Sequence, residues 1–511
     1  MGRPKEYRQR LKYQVASARK KTLDNQLAAR LTSELGMSEV EARLLAHRLS
    51  LWIQSRPGLR GPNQILIDAS VGRDRFVRKW RVGKKIRVTP YDAEDLDLEL
   101  EFGLATMQTG RILRLIEEAY QQDGLLSAKQ LTLHTNITPT SLRNRLREVR
   151  ELGIWAPVRG LSRKDRARAG IMRSTWILKR YLEGQPLHEV RKVAAISRQR
   201  LGDLLRRIAS VNQQLTEGSF EAQDPEEAQW AEVIANTSRN NLVELLPEPV
   251  KAGQAGSWAE LRAELEADFA LSPVKLRALR ELTEETIRSL SDTRTAGEVI
   301  YWAVAAEEPA GKPLDSCRLV PAQLTLFDPR DIELSDRDLN RLTEIKFHKV
   351  ARLAAEAKQA GGYLTYADLS YLLGVHPAAV RGLIRKNPGV IVPLRGLECD
   401  IGRGVSHRKK VIELYLQMHT ETEIVSRTGH SYAAVENYIK EFAAVLMLSE
   451  RGLSAPLIRR VTGRSMKLVM AYLELVREYS GPEYSFRLHH LRKIFLAHEP
   501  GVKKNFRGER P

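Results

Sequence analysis

The chain repeats itself, and self-similarity at a fixed offset marks a tandem duplication into related halves. The stretch GLLSAKQLTLHTNITPTSLRNRLRE at 124–148 lies without a gap over GYLTYADLSYLLGVHPAAVRGLIRK at 362–386. The correspondence continues from 158–161 to 394–397 and from 180–211 to 414–445, and more faintly upstream from 37–45 to 271–279 and from 91–98 to 327–334. The offset stays at about 234 to 238 residues throughout. The 511 residues are therefore two related halves with additional ends, long enough for two or more domains with proper cores.

The best-matched part of the repeat has winged-helix character. In the first copy, 127–136 reads as a first helix, 137–140 as a turn and N-cap with Pro139 in the first helical turn, and 140–152 as a second helix. GIWAPVRG at 153–160 is short and apolar enough for a wing. Arg143, Arg145, Arg147 and Arg150 crowd the second helix, a charge pattern that repels itself unless a polyanion is present. We take Arg143, Asn144 and Arg147 as DNA-contacting candidates. The second copy, 365–396, keeps the shape with fewer charges, and offers Arg381, Arg385 and Lys386.

A plain helix-turn-helix pattern follows each winged unit. In TETEIVSRTGHSYAAVENYIKEF at 420–442, Gly429 suits the turn and Ser431 the N-cap of the second helix. With Val435 and Tyr438 facing inward, Ser431, Tyr432, Asn437 and Lys440 point outward, where a recognition helix meets base edges and phosphates. The alternative is an ordinary helical hairpin. The first-copy equivalent, 187–208, offers Arg198, Gln199 and Arg206 but carries Ala195 where the second has Gly429, which puts its turn geometry in question. A third pattern at 452–476 turns at Gly463, and its outward side of Ser465, Met466, Lys467 and Met470 is apolar enough to suit a protein partner as well as DNA.

The formal net charge of +19 calls for an acidic polymer or surface as partner. Its distribution names segments. Residues 1–22 read as a basic arm, with a solubilising tail as the alternative. Between strand-like runs at 65–69 and 86–88 lies a basic ribbon punctuated by aromatics, with Arg75, Arg78, Lys79, Trp80, Arg81, Lys84 and Lys85 as candidates to grip a backbone; the alternative is a solvated hairpin. The segment 217–268 carries twelve Asp and Glu against three Lys and Arg and reads as an acidic linker. Two cysteines far apart, without a Cys/His cluster, point to a reducing compartment and to no metal site. No apolar run approaches the roughly 18 residues of a membrane span, so a cytoplasmic, nucleoid-associated protein is expected.

The stretches 297–334 and 413–442 together resemble an uncharacterised prokaryotic domain family of unknown function whose members carry helix-turn-helix segments. The resemblance spans 258–479 and touches the first copy weakly. It implies a fold and a cellular origin, and brings no activity. His489 and Arg492 have a spacing that resembles part of a tyrosine-recombinase site, but no tyrosine follows Tyr484 to act as nucleophile. Without a phosphate-binding loop or a carboxylate triad, no enzyme chemistry is expected.

The expectation is a mainly α protein with small β-hairpins, a tandem duplication of winged-helix plus helix-turn-helix units, binding double-stranded DNA without cofactor or metal. The expected domains are a basic arm at 1–22, helical and hairpin domains at 23–118 and 258–355, winged units at 119–215 and 356–446, the linker at 216–257, a third helix-turn-helix at 447–481 and a basic tail at 482–511. Its work is transcriptional regulation or architectural occupancy of a site. A mobile-element or plasmid accessory protein, with replication-initiator-like binding, and a helical protein-interaction scaffold are the competitors. The two halves, joined by the linker, are expected to cover one long asymmetric site.

Overall fold

The computed structural model describes residues 4–55, 59–71, 83–159, 170–222, 224–237, 257–290, 294–308, 316–337, 341–398, 405–428, 432–464 and 466–497. The described residues are mainly helical and form two small antiparallel sheets. The chain divides into two compact units, one of residues 1–306 and 313–387, the other of 307–312 and 388–511.

The division does not fall at the acidic stretch where the sequence suggests it. Helices α2 (Leu23–Leu35) and α3 (Glu39–Ser55) of the first half share one apolar core with α12 (Trp258–Phe269) and α13 (Pro273–Leu290) of the second. Leu27, Leu31, Leu45 and Leu49 join Leu265, Leu276, Leu279 and Leu282 there. Each pair of amphipathic helices has one apolar stripe, and here the stripes bury each other. The first half and the second as far as residue 387 fall in one unit, and these four helices give them a shared core.

Two further segments differ from expectation. The arm is helix α1 (Pro4–Arg19), with Leu11, Val15 and Ala18 buried. Lys21, just beyond it, is buried in an ion pair with Asp368 at 2.6 Å, and the other oxygen of that carboxylate accepts from the Tyr301 hydroxyl at 2.7 Å. That cation is neutralised inside the protein. Within the acidic stretch, α11 (Pro225–Ala235) is capped by the Asp224 side chain, carries Glu226 and Glu227 in its first turn, and buries Trp230, whose Nε1 donates to Ser174 at 3.1 Å. The carboxylates there serve a helix N-terminus, where negative charge is favoured.

Corresponding elements recur in the two halves of this unit. Strand β1 (Ile65–Val71) lies between β2 (Lys84–Val88) and β3 (Gly124–Leu125), as β4 (Glu298–Ala305) lies between β5 (Leu319–Thr325) and β6 (Gly362–Tyr363). Helices α4 (Ala93–Phe102) and α5 (Leu104–Gln121) are matched by α14 (Pro329–Arg337) and α15 (Leu342–Gln359). The polar supports match as well. Arg114 pairs with Asp95 at 2.8 Å and donates to the Thr89 carbonyl at 3.0 Å, while the Thr89 N–H donates to Glu118 at 2.7 Å. In the second half Arg352 pairs with Asp331 at 3.0 Å and donates to the Thr325 carbonyl at 2.9 Å, while the Thr325 N–H donates to Glu356 at 2.7 Å.

In the unit holding 388–511 the described residues form the helices α18 (Arg395–Glu398), α19 (Val405–Leu416), α20 (Glu421–Thr428), α21 (Tyr432–Glu450), α22 (Ala455–Thr462), α23 (Met466–Glu478) and α24 (Ser485–Ala497). Val411, Tyr415, Val435, Phe442, Tyr472 and Leu491 are among its core. The expected basic tail therefore begins with a packed helix. Arg487 donates to the His419 carbonyl at 2.9 Å, and Arg492 pairs with Glu450 at 2.7 Å.

Candidate nucleic-acid interface

Helices α6 (Ala128–Thr135) and α7 (Pro139–Glu151) form the first candidate reading element. Ser127 and Gln130 close a capping box at the start of α6, Asn136 takes the left-handed conformation at its end with φ 56°, and Thr138 caps α7 by accepting from the Ser141 N–H at 3.2 Å. Leu142, Leu146 and Val149 are buried, so Arg143, Asn144 and Arg147 face solvent. Arg145 does not. Its guanidinium donates to the Ala105 carbonyl at 2.6 Å and to Gln108 at 2.8 Å, and burial holds its pKa below the ordinary value. Arg150 donates to the Ala156 carbonyl at 3.1 Å. The charge crowding read from the sequence is thus relieved by protein carbonyls at two of its positions.

The second copy reproduces this element as α16 (Tyr366–Leu373) and α17 (Pro377–Lys386). Thr365 and Asp368 form the capping box, Gly374 takes the left-handed turn with φ 65°, and the His376 ring caps α17 by accepting from the Ala378 N–H at 3.1 Å. Val380 and Leu383 are buried. Arg381 and Arg385 are exposed at the places that correspond to Arg143 and Arg147, with Lys386 exposed beside them. The Arg381 guanidinium lies 5.5 Å from the Tyr366 ring centroid. Where the first copy has Asn144, the second has Gly382.

The two turns touch. Asn136 Nδ2 donates to the Leu373 carbonyl at 3.0 Å. Around that contact the helices behind each turn reach across to the other copy: Arg111 of α5 donates to the Tyr371 carbonyl at 2.6 Å, and Gln108 to the Gly374 carbonyl at 2.8 Å. In the opposite direction Lys349 of α15 donates to the Leu133 carbonyl at 2.6 Å and to Asn136 Oδ1 at 3.2 Å. Lys349 stands in the second copy where Arg111 stands in the first. Burial lowers the Lys349 pKa to about 8, and burial, with the Lys349 charge added, lowers that of His134 to about 3. The His134 ring packs on Phe327 of the other copy, centroids 4.4 Å apart.

The remaining candidates lie elsewhere. Beyond α8 (Arg173–Leu182), in the pair α9 (Leu187–Ala194) and α10 (Arg198–Glu217), Ala195 does adopt the left-handed turn, with φ 50°. Arg198 and Gln199 are exposed; the Gln199 amide approaches the His47 ring at 3.4 Å, and Arg206 is ion-paired with Asp203. Arg191 and Arg200 bind Glu101 and Glu94, fastening this pair to α4. Lys84 and Lys85 are exposed on β2, with Lys84 donating to the Gln122 carbonyl at 3.0 Å. Arg75, Arg78, Lys79, Trp80 and Arg81 lie outside the described residues, as do Gly429 and Ser431.

In the other unit Val435 and Tyr438 are buried and Tyr432 and Asn437 exposed, as their spacing predicts. The Tyr432 hydroxyl donates to Thr422 at 2.9 Å, and Lys440 pairs with Glu436 at 2.7 Å. Gly463 turns between α22 and α23 with φ 67°, Val469 and Tyr472 pack inward and Met470 is exposed. The Lys467 side chain is outside the described residues. The candidates divide between the two units. What the sequence reading missed are the arginines and lysine that join the copies; Arg60 and Arg294, identical residues at equal places in the repeat, were a signal available for them.

Among known families, the one described as Protein of unknown function (DUF1670) matches residues 69–223 and 265–475. No curated protein and no solved structure matches the chain.

Proposed function

The chain belongs to the DUF1670 family, and we propose that it is a double-stranded DNA-binding protein that occupies specific sites as a transcriptional regulator or architectural factor. The observation that carries this reading is the recurrence of one exposed arginine pair. Arg143 and Arg147 on α7, and Arg381 and Arg385 on α17, occupy equal places on the outer faces of two matched helices, while Arg111, Arg114, Arg145, Arg191 and Arg352 are engaged by internal acceptors. A guanidinium is suited both to phosphate and to the guanine edge, and its spacing over one helical turn suits a groove.

The helix pair of each copy is read as part of a winged helix. In favour stands the order α5, β3, α6, α7 in the first copy, repeated as α15, β6, α16, α17 in the second. The pairs α9–α10, α20–α21 and α22–α23 are read as further helix-turn-helix elements. The first of them is held to α4 by Arg191 and Arg200 and serves chiefly to brace the unit. The third, with Met470 exposed, suits a protein partner.

Genome-wide footprinting of the intact protein tests the reading. Protection at many promoters is the expected result; protection confined to element ends or to one origin would favour the mobile-element competitor, and no enrichment would reject DNA reading in favour of a scaffold.

A further inference from the structure

We infer that one chain reads an inverted repeat, its two half-sites centred within about one turn of duplex. This rests on the DNA-binding reading above and adds to it the symmetry and spacing of the target.

The symmetry follows from reciprocity. Arg60 donates to the carbonyls of Arg294, Thr295 and Ala296, and Arg294 donates back to those of Arg60 and Gly61. The Leu66 N–H bonds the Ala296 carbonyl at 2.7 Å, and the Ile300 N–H bonds the Pro62 carbonyl at 2.8 Å. Arg111 reaches from α5 to the end of α16, and its equivalent Lys349 reaches from α15 to the end of α6. The operation that carries the first copy onto the second therefore carries the second onto the first. Only a half-turn does this; a translation or an open screw leaves one copy's donors without their counterparts. Two reading helices related by a half-turn meet a duplex as the subunits of a symmetric dimer do, on half-sites that run in opposite directions.

The spacing follows from the touching turns. Asn136 bonds Leu373, three residues before α7 and four before α17 begin. Chain segments of that length reach at most about 11–14 Å, and the midpoint of each arginine pair lies about 9 Å further along its helix. With the turn contact included, the two midpoints are under about 55 Å apart. One duplex turn, about 34–36 Å, is within reach, and two turns, about 70 Å, are not. The half-sites should also differ, because Asn144 can pair with adenine where Gly382 cannot.

The test is in vitro selection of the intact protein on a random duplex library, with the mass of the selected complex measured. The expected result is an imperfect inverted repeat, half-site centres no more than about 10–11 base pairs apart, bound by one chain. The joint variant R381A/R385A should lose about tenfold or more of its discrimination in one half-site and keep it in the other. A direct repeat, a lone half-site, two-turn spacing or two chains per duplex would overturn the inference and leave DNA binding standing. Failure to bind duplex at all, or binding without enrichment of any motif, would remove the specific-site reading and this inference with it.

Discussion

Arg60 and Arg294 hold each other's main chain: each guanidinium is buried and donates to the carbonyl of the other residue, at 3.0 Å in one direction and 2.6 Å in the other. Substituting either by Ala strips several buried carbonyls of a charged donor. Arg60→Ala and Arg294→Ala should each lower the unfolding free energy by about 3 kcal/mol, read from urea titrations by circular dichroism. The double variant should lose clearly less than the sum, because either change already parts the same two segments. Strict additivity would mean that the two arginines act independently.

Acid should loosen the junction between the copies. His134 is held near pKa 3 by burial and by Lys349, whereas an unfolded histidine takes its proton near 6.5. Between those values the unfolded chain binds more protons, so this residue's contribution is intact above about pH 6.5 and falls by about 1.4 kcal/mol per pH unit as pH drops toward 3. His134→Phe, which retains a ring against Phe327, should flatten the loss of stability between pH 6.5 and 4. An unchanged acid profile in that variant would place the sensitivity elsewhere.

Gly374 combines a left-handed backbone with a crowded site: a Cβ there would come within 2.7 Å of Arg111 Nη1. Gly374→Ala should cost about 2 kcal/mol, through strain at positive φ and displacement of the guanidinium from the Tyr371 carbonyl. Gly389→Ala, where φ is not positive and nothing lies within 4 Å, is the unstrained control and should leave thermal unfolding nearly unchanged.

On α21 two neighbours should divide their labour. Asn437 is exposed with an amide able to pair with adenine, so Asn437→Ala should cost about 1–3 kcal/mol on the preferred site and little on random duplex. Lys440, paired with Glu436, is expected to exchange that partner for phosphate, and Lys440→Ala should weaken all sequences alike. Equal losses for Asn437→Ala on specific and random duplex would show that this helix does not read bases.

The two matched helix pairs were largely legible because their signals are local. Leu142, Leu146 and Val149 keep helical spacing, and Pro139 with Thr138 marks a helix start. Whether a cation faces water or a carbonyl depends on the neighbouring element: Arg145 and Arg143 look alike along the chain, and only α5 distinguishes them. The same holds for Lys21, which read as part of a basic arm until its partner 347 residues away was in view. Trp230 sat in a stretch whose charge balance suggested a linker, yet one aromatic ring and a capping Asp224 were enough to dock a helix. The repeat itself was plain, but its meaning was not. Offsets along a chain carry no information on whether copies stand apart or share a core. That was decided by leucines on α2, α3, α12 and α13 that any amphipathic helix would display.

The central claim is that the exposed cations of this chain bind the duplex backbone and grooves, and a salt titration of duplex affinity tests it most directly. Nanomolar-range binding at low salt should fall steeply, as a straight line of log affinity against log salt. The joint variant R143A/R147A/R381A/R385A should bind more weakly and with a visibly shallower slope, since about one unit of slope is lost per phosphate contact removed. Affinity that stays flat across the titration, or a slope that the four substitutions leave unchanged, would contradict the account.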